Sequence, residues 1–347
     1  MLLRNCLLFF GFFLVLIASG QDKKYKVAVI GFYNLENLYD TINDPLVNDE
    51  EFTPEGQKNY TPKVYLDKLE HLSDVLSQIG TDYTPDGAAI MGVAEVENEQ
   101  VLKDLAQTHK LKKRNWQTVH YHSPDERGVD VAMLYNPKYF KPLYSESLNV
   151  PLKNDDGTAR KTRDILYVNG LLDGEDMHVF VNHWPSRRGG EEASAPWRAL
   201  AASVAKAKMD SILKVNLQAK IVLMGDLNDD PVSPSVTHVI GATGDLEKVK
   251  EGGFFNPWVD LYKNGIGTLA YNDAWNLFDQ IIVSKAWLDT KQTGFHFQKA
   301  MIFKKQFMLQ QTGRYKGYAK RTYDFNIYIA GYSDHFPTYL LMLKEVK

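Results

Sequence analysis

Acidic and amide residues recur in this chain just where short apolar runs end, a placement suited to holding a cation or a water beside an anionic group. The densest such stretch is VLMGDLNDDP, Val222 to Pro231. Ile221 to Met224 read as a short buried strand that stops at Gly225, with Asp226, Asn228, Asp229 and Asp230 crowded into the turn. A carboxylate there can hold a divalent cation or a water, and an amide two residues on can donate to an anionic oxygen. Asp and Asn are also ordinary turn formers. The weight therefore rests on the further stretches in which polar groups adjoin an apolar run.

Lys26 to Phe32 reads as a buried strand that runs into Asn34 and Glu36, and the run Ala88 to Val93 delivers Glu95 and Glu97. Met177 to Val181 leads into Asn182, His183 and the basic loop Arg187-Arg188-Gly189-Gly190. Trp275 to Ser284 reads as a strand with Asp279 among apolar neighbours, and Ser333-Asp334-His335 stands at the entrance of a last strand, Pro337 to Leu343. Carboxylates and amides with few imidazoles suit a hard cation, Mg2+ or Mn2+, better than zinc. Two histidines on separate strand ends, each with an acidic residue to set its tautomer, suit proton transfer and stabilisation of developing phosphate charge. Hydrolysis of a phosphate ester uses all of these parts. Asp279 is either a buried structural carboxylate or the partner of a cation, and His335 is the economical partner because an unpaired buried charge is costly.

The elements that must position these groups alternate irregularly. Leu69, Leu72, Leu76 and Ile79, closed by Gly80, mark a helix, and Glu99 to Lys110 and Ala195 to about Val215 mark two more. Val129 to Tyr135 is a further strand, Tyr144 to Val150 and Ile165 to Leu172 read as an antiparallel pair, and Asp40 to Pro62 as a surface loop. No linker or repeat interrupts them, so one α/β domain with mixed sheets is expected over residues 21–347, folding so that the polar clusters meet. With 347 residues, 44% hydrophobic and 24% charged, the composition is that of a globular protein. Residues 1–20, with Arg4, an apolar run and Ala18-Ser19-Gly20, read as a secretory signal, which implies a secreted or periplasmic envelope protein. The only cysteine, Cys6, lies inside that segment. Its removal takes the net charge from −3 to −4, because Arg4 is the one charge lost. Slight acidity argues against coating nucleic acid by bulk charge, though not against a local basic groove.

FYNLEN, GVAEVEN, VNHWP, MGDLNDDP, NLFDQIIVS and YSDHFP, in this order, resemble the motifs of the endonuclease/exonuclease/phosphatase superfamily over nearly the whole chain. The resemblance implies an α/β four-layer sandwich, two mixed β-sheets packed face to face and flanked by helices. It implies that Glu95 is the principal Mg2+ ligand, with Asn34 and Glu36 lining the same site and Asp334 near the metal. Glu36 departs in length from the Asp or Asn of many members. By the same resemblance Asp226 orients or activates water, Asn228 and His183 contact the phosphate, and His335 paired with Asp279 is the second catalytic histidine. Arg127 stands where members place a phosphate contact, or else pairs with Asp125 or Asp130.

Arg187 and Arg188 either clamp a neighbouring phosphate or belong to a solvated loop. Lys304 to Tyr323 interleaves basic and aromatic residues as a nucleic-acid groove does, or is simply a solvated face. The expected activity is Mg2+-dependent phosphodiester hydrolysis, with DNA or RNA as substrate and no obligate protein partner for a monomer. The alternatives are a sphingomyelinase-like or sugar or inositol phosphate hydrolase acting on a phospholipid or phosphorylated small molecule, and a catalytically silent surface binding protein.

Overall fold

Residues 24–154, 156–291 and 293–346 are described by the structure, a computed structural model; the expected signal segment lies outside them. In chain order the first strands are β1 (Lys24–Leu38), β2 (Ile90–Val96), β3 (Gln117–His120), β4 (Asp130–Tyr135), β5 (Phe140–Leu148), β6 (Ile165–Leu172), β7 (Glu175–His183) and β8 (Ile221–Asp226). Short strands follow: β9 (Ala242–Thr243), β10 (Phe254–Phe255), β11 (Leu269–Tyr271) and β12 (Ala274–Asn276). The last are β13 (Asp279–Ser284), β14 (His296–Ile302), β15 (Tyr323–Asp324), β16 (Ile327–Tyr328) and β17 (Thr338–Val346). The helices are α1 (Pro62–Leu76), α2 (Glu99–Gln107), α3 (Glu191–Val215) and α4 (Val259–Lys263).

Two large mixed sheets result, one ordered β14-β17-β1-β2-β4-β3 and the other β5-β6-β7-β8-β13-β10-β9. Because β1 pairs antiparallel with β17, Lys24 opposite Val346, both ends of the described chain lie in the first sheet. Period-two alternation decides the layers. On β8, Val222 and Met224 enter the core between the sheets with Ile30, Phe32, Val179 and Leu340, whereas Ile221 and Leu223 pack with Ala202, Ala205 and Met209 of α3. On the outside of the first sheet, Val29, Val93 and Leu134 meet Leu69 and Leu72 of α1 and Leu102 and Leu105 of α2. Helix, sheet, sheet, helix is the four-layer sandwich that the motifs imply.

Three local expectations need correction. The strand expected at 275–284 is broken: Ala274–Asn276 pairs with β11, and only Asp279–Ser284 joins the second sheet. The break has a cause, since the Leu277 N–H is drawn to Asp230 Oδ1 at 2.9 Å and the Leu227 N–H to the Phe278 carbonyl at 2.9 Å. The segment from Asp40 to Pro62 is not only a surface loop, because it buries Phe52 and Tyr60, with Phe52 stacked on Tyr39 at 4.4 Å. Finally, Asn34 and Glu36 lie within β1 and not after it, at an irregularity where Glu36 and Asn37 take positive φ.

His178 on β7 is largely buried, with Nδ1 2.8 Å from the Tyr167 hydroxyl. Burial pushes its imidazole below the ordinary 6.5, against the pull of Asp176. The unfolded chain therefore takes up the proton first, and stability present above pH 6.5 is lost as pH falls through that value. His178→Gln should lessen the loss of stability as pH falls below 6.5, as read by chemical denaturation at several pH values.

Candidate active site

Asp226 closes β8 and sits abreast of two other polar strand ends. In the parallel pair β7/β8 it is opposite His183, and in the antiparallel pair β8/β13 it is opposite Asp279. Gly225 makes this approach possible. A Cβ there would fall 2.2 Å from the Asn182 carbonyl oxygen, and its φ of +158° is one that side chains rarely adopt. The first sheet supplies the other wall, with Asn34 from β1, Glu95 from β2, and His335 just before β17.

The side chains converge. His335 Nδ1 is 2.7 Å from Asp279 Oδ2, and its Nε2 is 3.8 Å from Asp226 Oδ2. His183 Nε2 stands 3.8 Å from that same Asp226 oxygen and 3.9 Å from Glu95 Oε1. Asn34 Nδ2 donates to Asp226 Oδ2 at 3.0 Å, and the Asn228 N–H donates to Asp226 Oδ1 at 3.0 Å. The Asn228 amide is turned toward the Trp184 carbonyl, 2.9 Å away. Glu36, Glu95 and Asn228 all hold positive φ, at 50°, 60° and 48°. Strained backbone of this kind persists only where the surroundings enforce it, and it gathers at functional sites.

Electrostatics separates the two imidazoles. Burial opposes charge on His335, yet Asp279 and Asp226 outweigh it and hold the ring well above the usual histidine range. His183 is driven the other way, by burial first and then by Arg163, Arg127 and His335. Burial raises Asp226 to about 6, opposed chiefly by His335. At neutral pH the site therefore holds a charged His335, a neutral His183 and an ionised Asp226. Among the described residues, neither His183 Nδ1 nor Asp279 Oδ1 finds a hydrogen-bond partner, although both are buried.

The oxygen-rich flank is organised around Arg321, whose guanidinium lies 2.8 Å from Asp334 Oδ2 and 3.6 Å from Glu36 Oε1. Glu36 Oε2 also accepts from the Thr322 N–H at 2.7 Å. Burial and then the Asp334 charge raise Glu36 to about 7, against Lys68 and Arg321. Glu95 accepts the Asn37 N–H on Oε2 at 3.0 Å and faces Arg127 across 3.5 Å on Oε1. Asn34 Oδ1 accepts the Glu36 N–H at 2.9 Å, which leaves its second lone pair for another partner. Glu36 and Asp334 share Arg321, and Glu95 stands on the neighbouring strand β2; as hard oxygen donors these carboxylates would suit a divalent cation. Among the described residues, however, the tightest His and Asp grouping here is Asp226, Asp279 and His335, with ligand atoms within 4.8 Å.

The two loop arginines do not share one role. Arg187 is turned into the fold: it donates to the Asn228 carbonyl at 2.9 Å and pairs with Asp230 at 3.0 Å and Glu191 at 2.9 Å. That network braces the DLNDDP turn and leaves no clamp for a phosphate. Arg188 is exposed on the same loop. Arg127 both borders Glu95 and lies 3.8 Å from Asp125. Three buried cations escaped sequence reasoning. Arg163 donates to the His183 and Trp184 carbonyls at 3.2 and 2.7 Å, Lys68 donates to the Glu36 carbonyl at 2.7 Å, and Arg198 pairs with Asp229 at 2.6 Å. None stands in a motif, and only the spacing of Lys68 on the α1 face hints at burial. Glu97 is buried and accepts the Asp40 N–H at 2.6 Å, a supporting position.

No curated protein matches the sequence. Among solved structures, the chain is similar to an endonuclease/exonuclease/phosphatase family protein from Bacteroides thetaiotaomicron, at 14% identity and TM-score 0.57, over 93% of this chain and 100% of that one. A mannosyl-6-phosphatase of the same bacterium, Bt3783, aligns at 15% identity and TM-score 0.54, covering 92% and 100%. TDP2 of D. rerio, complexed with a single-strand DNA product, aligns at 15% identity and TM-score 0.53, covering 91% and 98%. At these identities the likeness carries the fold alone. The model of the Endonuclease/Exonuclease/phosphatase family matches residues 29–344, and with its motifs gathered at one end of the two sheets, this chain belongs to that family.

Proposed function

We propose that this protein is a divalent-cation-dependent phosphodiester hydrolase that acts on DNA or RNA, and that residues 1–20 export it to the envelope or beyond. The observation that carries the reading is the Asp279–His335–Asp226 alignment beside a neutral His183. Glu95, Glu36 and Asp334, with Asn34 behind them, would hold Mg2+ or Mn2+, and the ion would supply positive charge to the non-bridging oxygens of the ester. His335 keeps its proton because Asp279 compensates it, so it faces the substrate as a charged donor. Asp226, ionised at neutral pH, is fixed by Asn34 and the Asn228 N–H and is the group that takes the proton of the attacking water. His183 donates from a neutral ring, and Arg163 fixes its backbone.

Support for a nucleic-acid substrate comes from the neighbouring aromatic and basic surface. A cavity of about 240 Å3 beside Asp334 and Arg321 is lined by Tyr271, Arg314, Tyr315 and Tyr318. Tyr271 is exposed, and Tyr315 lies 5.7 Å from Tyr318. Rings beside guanidinium groups are what unstacked bases use. A phosphorylated sugar is the second reading, favoured by an adjoining cavity of about 200 Å3 lined by Glu36, Lys58 and Arg321.

The test is hydrolysis of plasmid DNA, RNA, bis(p-nitrophenyl) phosphate and sugar monophosphates by the purified protein, with and without EDTA. Chelation should remove at least about 100-fold of the activity, and Mg2+ should restore it. Turnover unaffected by EDTA would reject the mechanism, whereas turnover of the sugar phosphates alone would select the second reading.

A further inference from the structure

Among the described residues, two groups of three His and Asp side chains bring their ligand atoms within 4.8 Å, and only one of them belongs to the site above. The other is His120, His122 and Asp130. His120 ends β3, Tyr121 turns away to bond the Ser145 carbonyl at 3.1 Å, and His122 returns to the His120 side as alternate residues of an extended chain do. In the β3/β4 register His120 lies opposite Ala132, so continuing that register sets His122 across from Asp130.

We propose that His120, His122 and Asp130 form a second metal site that takes zinc, or a similar borderline divalent ion, in place of the hard cation of the catalytic centre. His120 Nε2 lies 2.8 Å and His122 Nδ1 3.2 Å from the same oxygen, Asp130 Oδ2. Donor atoms around a tetrahedral zinc with bonds of about 2.0–2.1 Å stand about 3.3 Å apart, so the three atoms need only small side-chain shifts to take one ion. Two imidazoles and one carboxylate are the donor set of an open zinc site, and the balance of nitrogen over oxygen selects against Mg2+.

The surroundings suit a held ion. The Asp130 side chain is 1% and the His120 side chain 4% exposed, while His122 is 75% exposed, so the site has two anchored ligands and one arm in solvent. Asp130 Oδ1 is already fixed by the Ser123 N–H at 2.7 Å, which aims Oδ2 at the histidines. No lysine or arginine among the described residues forms an ion pair with Asp130, whose charged-group neighbours there are the two imidazoles. Asp130 also pairs with Val96, next to Glu95, which places this site at the catalytic end of the first sheet.

The experiment is isothermal titration of the EDTA-treated, desalted protein with ZnCl2 in excess Mg2+, comparing wild type with His122→Ala. His122 is exposed, so the variant keeps the fold, and circular dichroism checks it. Wild type should bind one more zinc equivalent than the variant, or bind one equivalent at least tenfold more tightly. Co2+ should give the intense visible bands of a tetrahedral centre in the wild type, and these should be lost in His122→Ala. Identical isotherms and identical cobalt spectra would overturn the proposal, and any zinc taken up equally by both proteins would then belong to the catalytic group.

Discussion

Replacing His335 by alanine is expected to lower kcat on bis(p-nitrophenyl) phosphate by about 10³–10⁴-fold, with KM changed much less. His335 Nδ1 is held by Asp279 at 2.7 Å, and its Nε2 faces Asp226 at 3.8 Å. The ring therefore has one edge committed to a buried carboxylate and one edge turned to the reacting centre. Alanine removes the charge that Asp279 stabilises and leaves Asp279, fully buried, without its partner. Asp279→Asn should cost less, about 10–100-fold, because the ring remains and loses only its compensating charge. Both variants must be checked for native circular dichroism. A His335→Ala enzyme within tenfold of wild type would remove His335 from the mechanism.

The second large effect falls on stability. Arg198 is fully buried, with Nε 2.6 Å from Asp229, NH1 donating to Ser194 Oγ at 2.7 Å and NH2 to the Glu191 carbonyl at 2.8 Å. Arg198→Ala should lower stability by about 3–5 kcal/mol, because an uncompensated carboxylate stays in the interior. For a chain of this size that is a fall in Tm of about 4–7 °C, measured by calorimetry. Asp229 adjoins Asn228 and also accepts from Ser235 Oγ at 2.6 Å, so activity should fall with the loosened turn. The double variant Arg198→Met, Asp229→Asn should recover part of the loss, since no lone charge remains. A single variant that loses less than 1 kcal/mol would mean that water or Arg187 compensates Asp229.

Much of the architecture was legible because it is written in local period. The apolar run Ile221 to Met224 marks a strand buried on both faces and the three-and-four spacing of Leu69, Leu72 and Leu76 a helix with one buried face, and the structure buries those residues. Where long-range contacts overrule local pattern, the reading failed. The apolar run through Leu277 and Phe278 looks like one strand with Asp279, but Asp230, 47 positions away, captures the Leu277 N–H and divides it. Arg187, in a basic and glycine-rich loop, reads either as a phosphate clamp or as part of a solvated loop. Its acidic partners in the DLNDDP turn lie about 40 positions further along the chain, beyond any local signal.

By residue type and order alone, the chain determined that hard oxygen donors and two imidazoles end its strands, and hence which family it resembles. Tertiary structure alone decided their division of labour. Asp279 and Asp226 surround His335 and keep it charged against its burial, while burial, and after it Arg163 and Arg127, keep His183 neutral. The sequence names both histidines equally; protonation depends on charges within a few ångströms, and only the packing of two sheets face to face sets those distances.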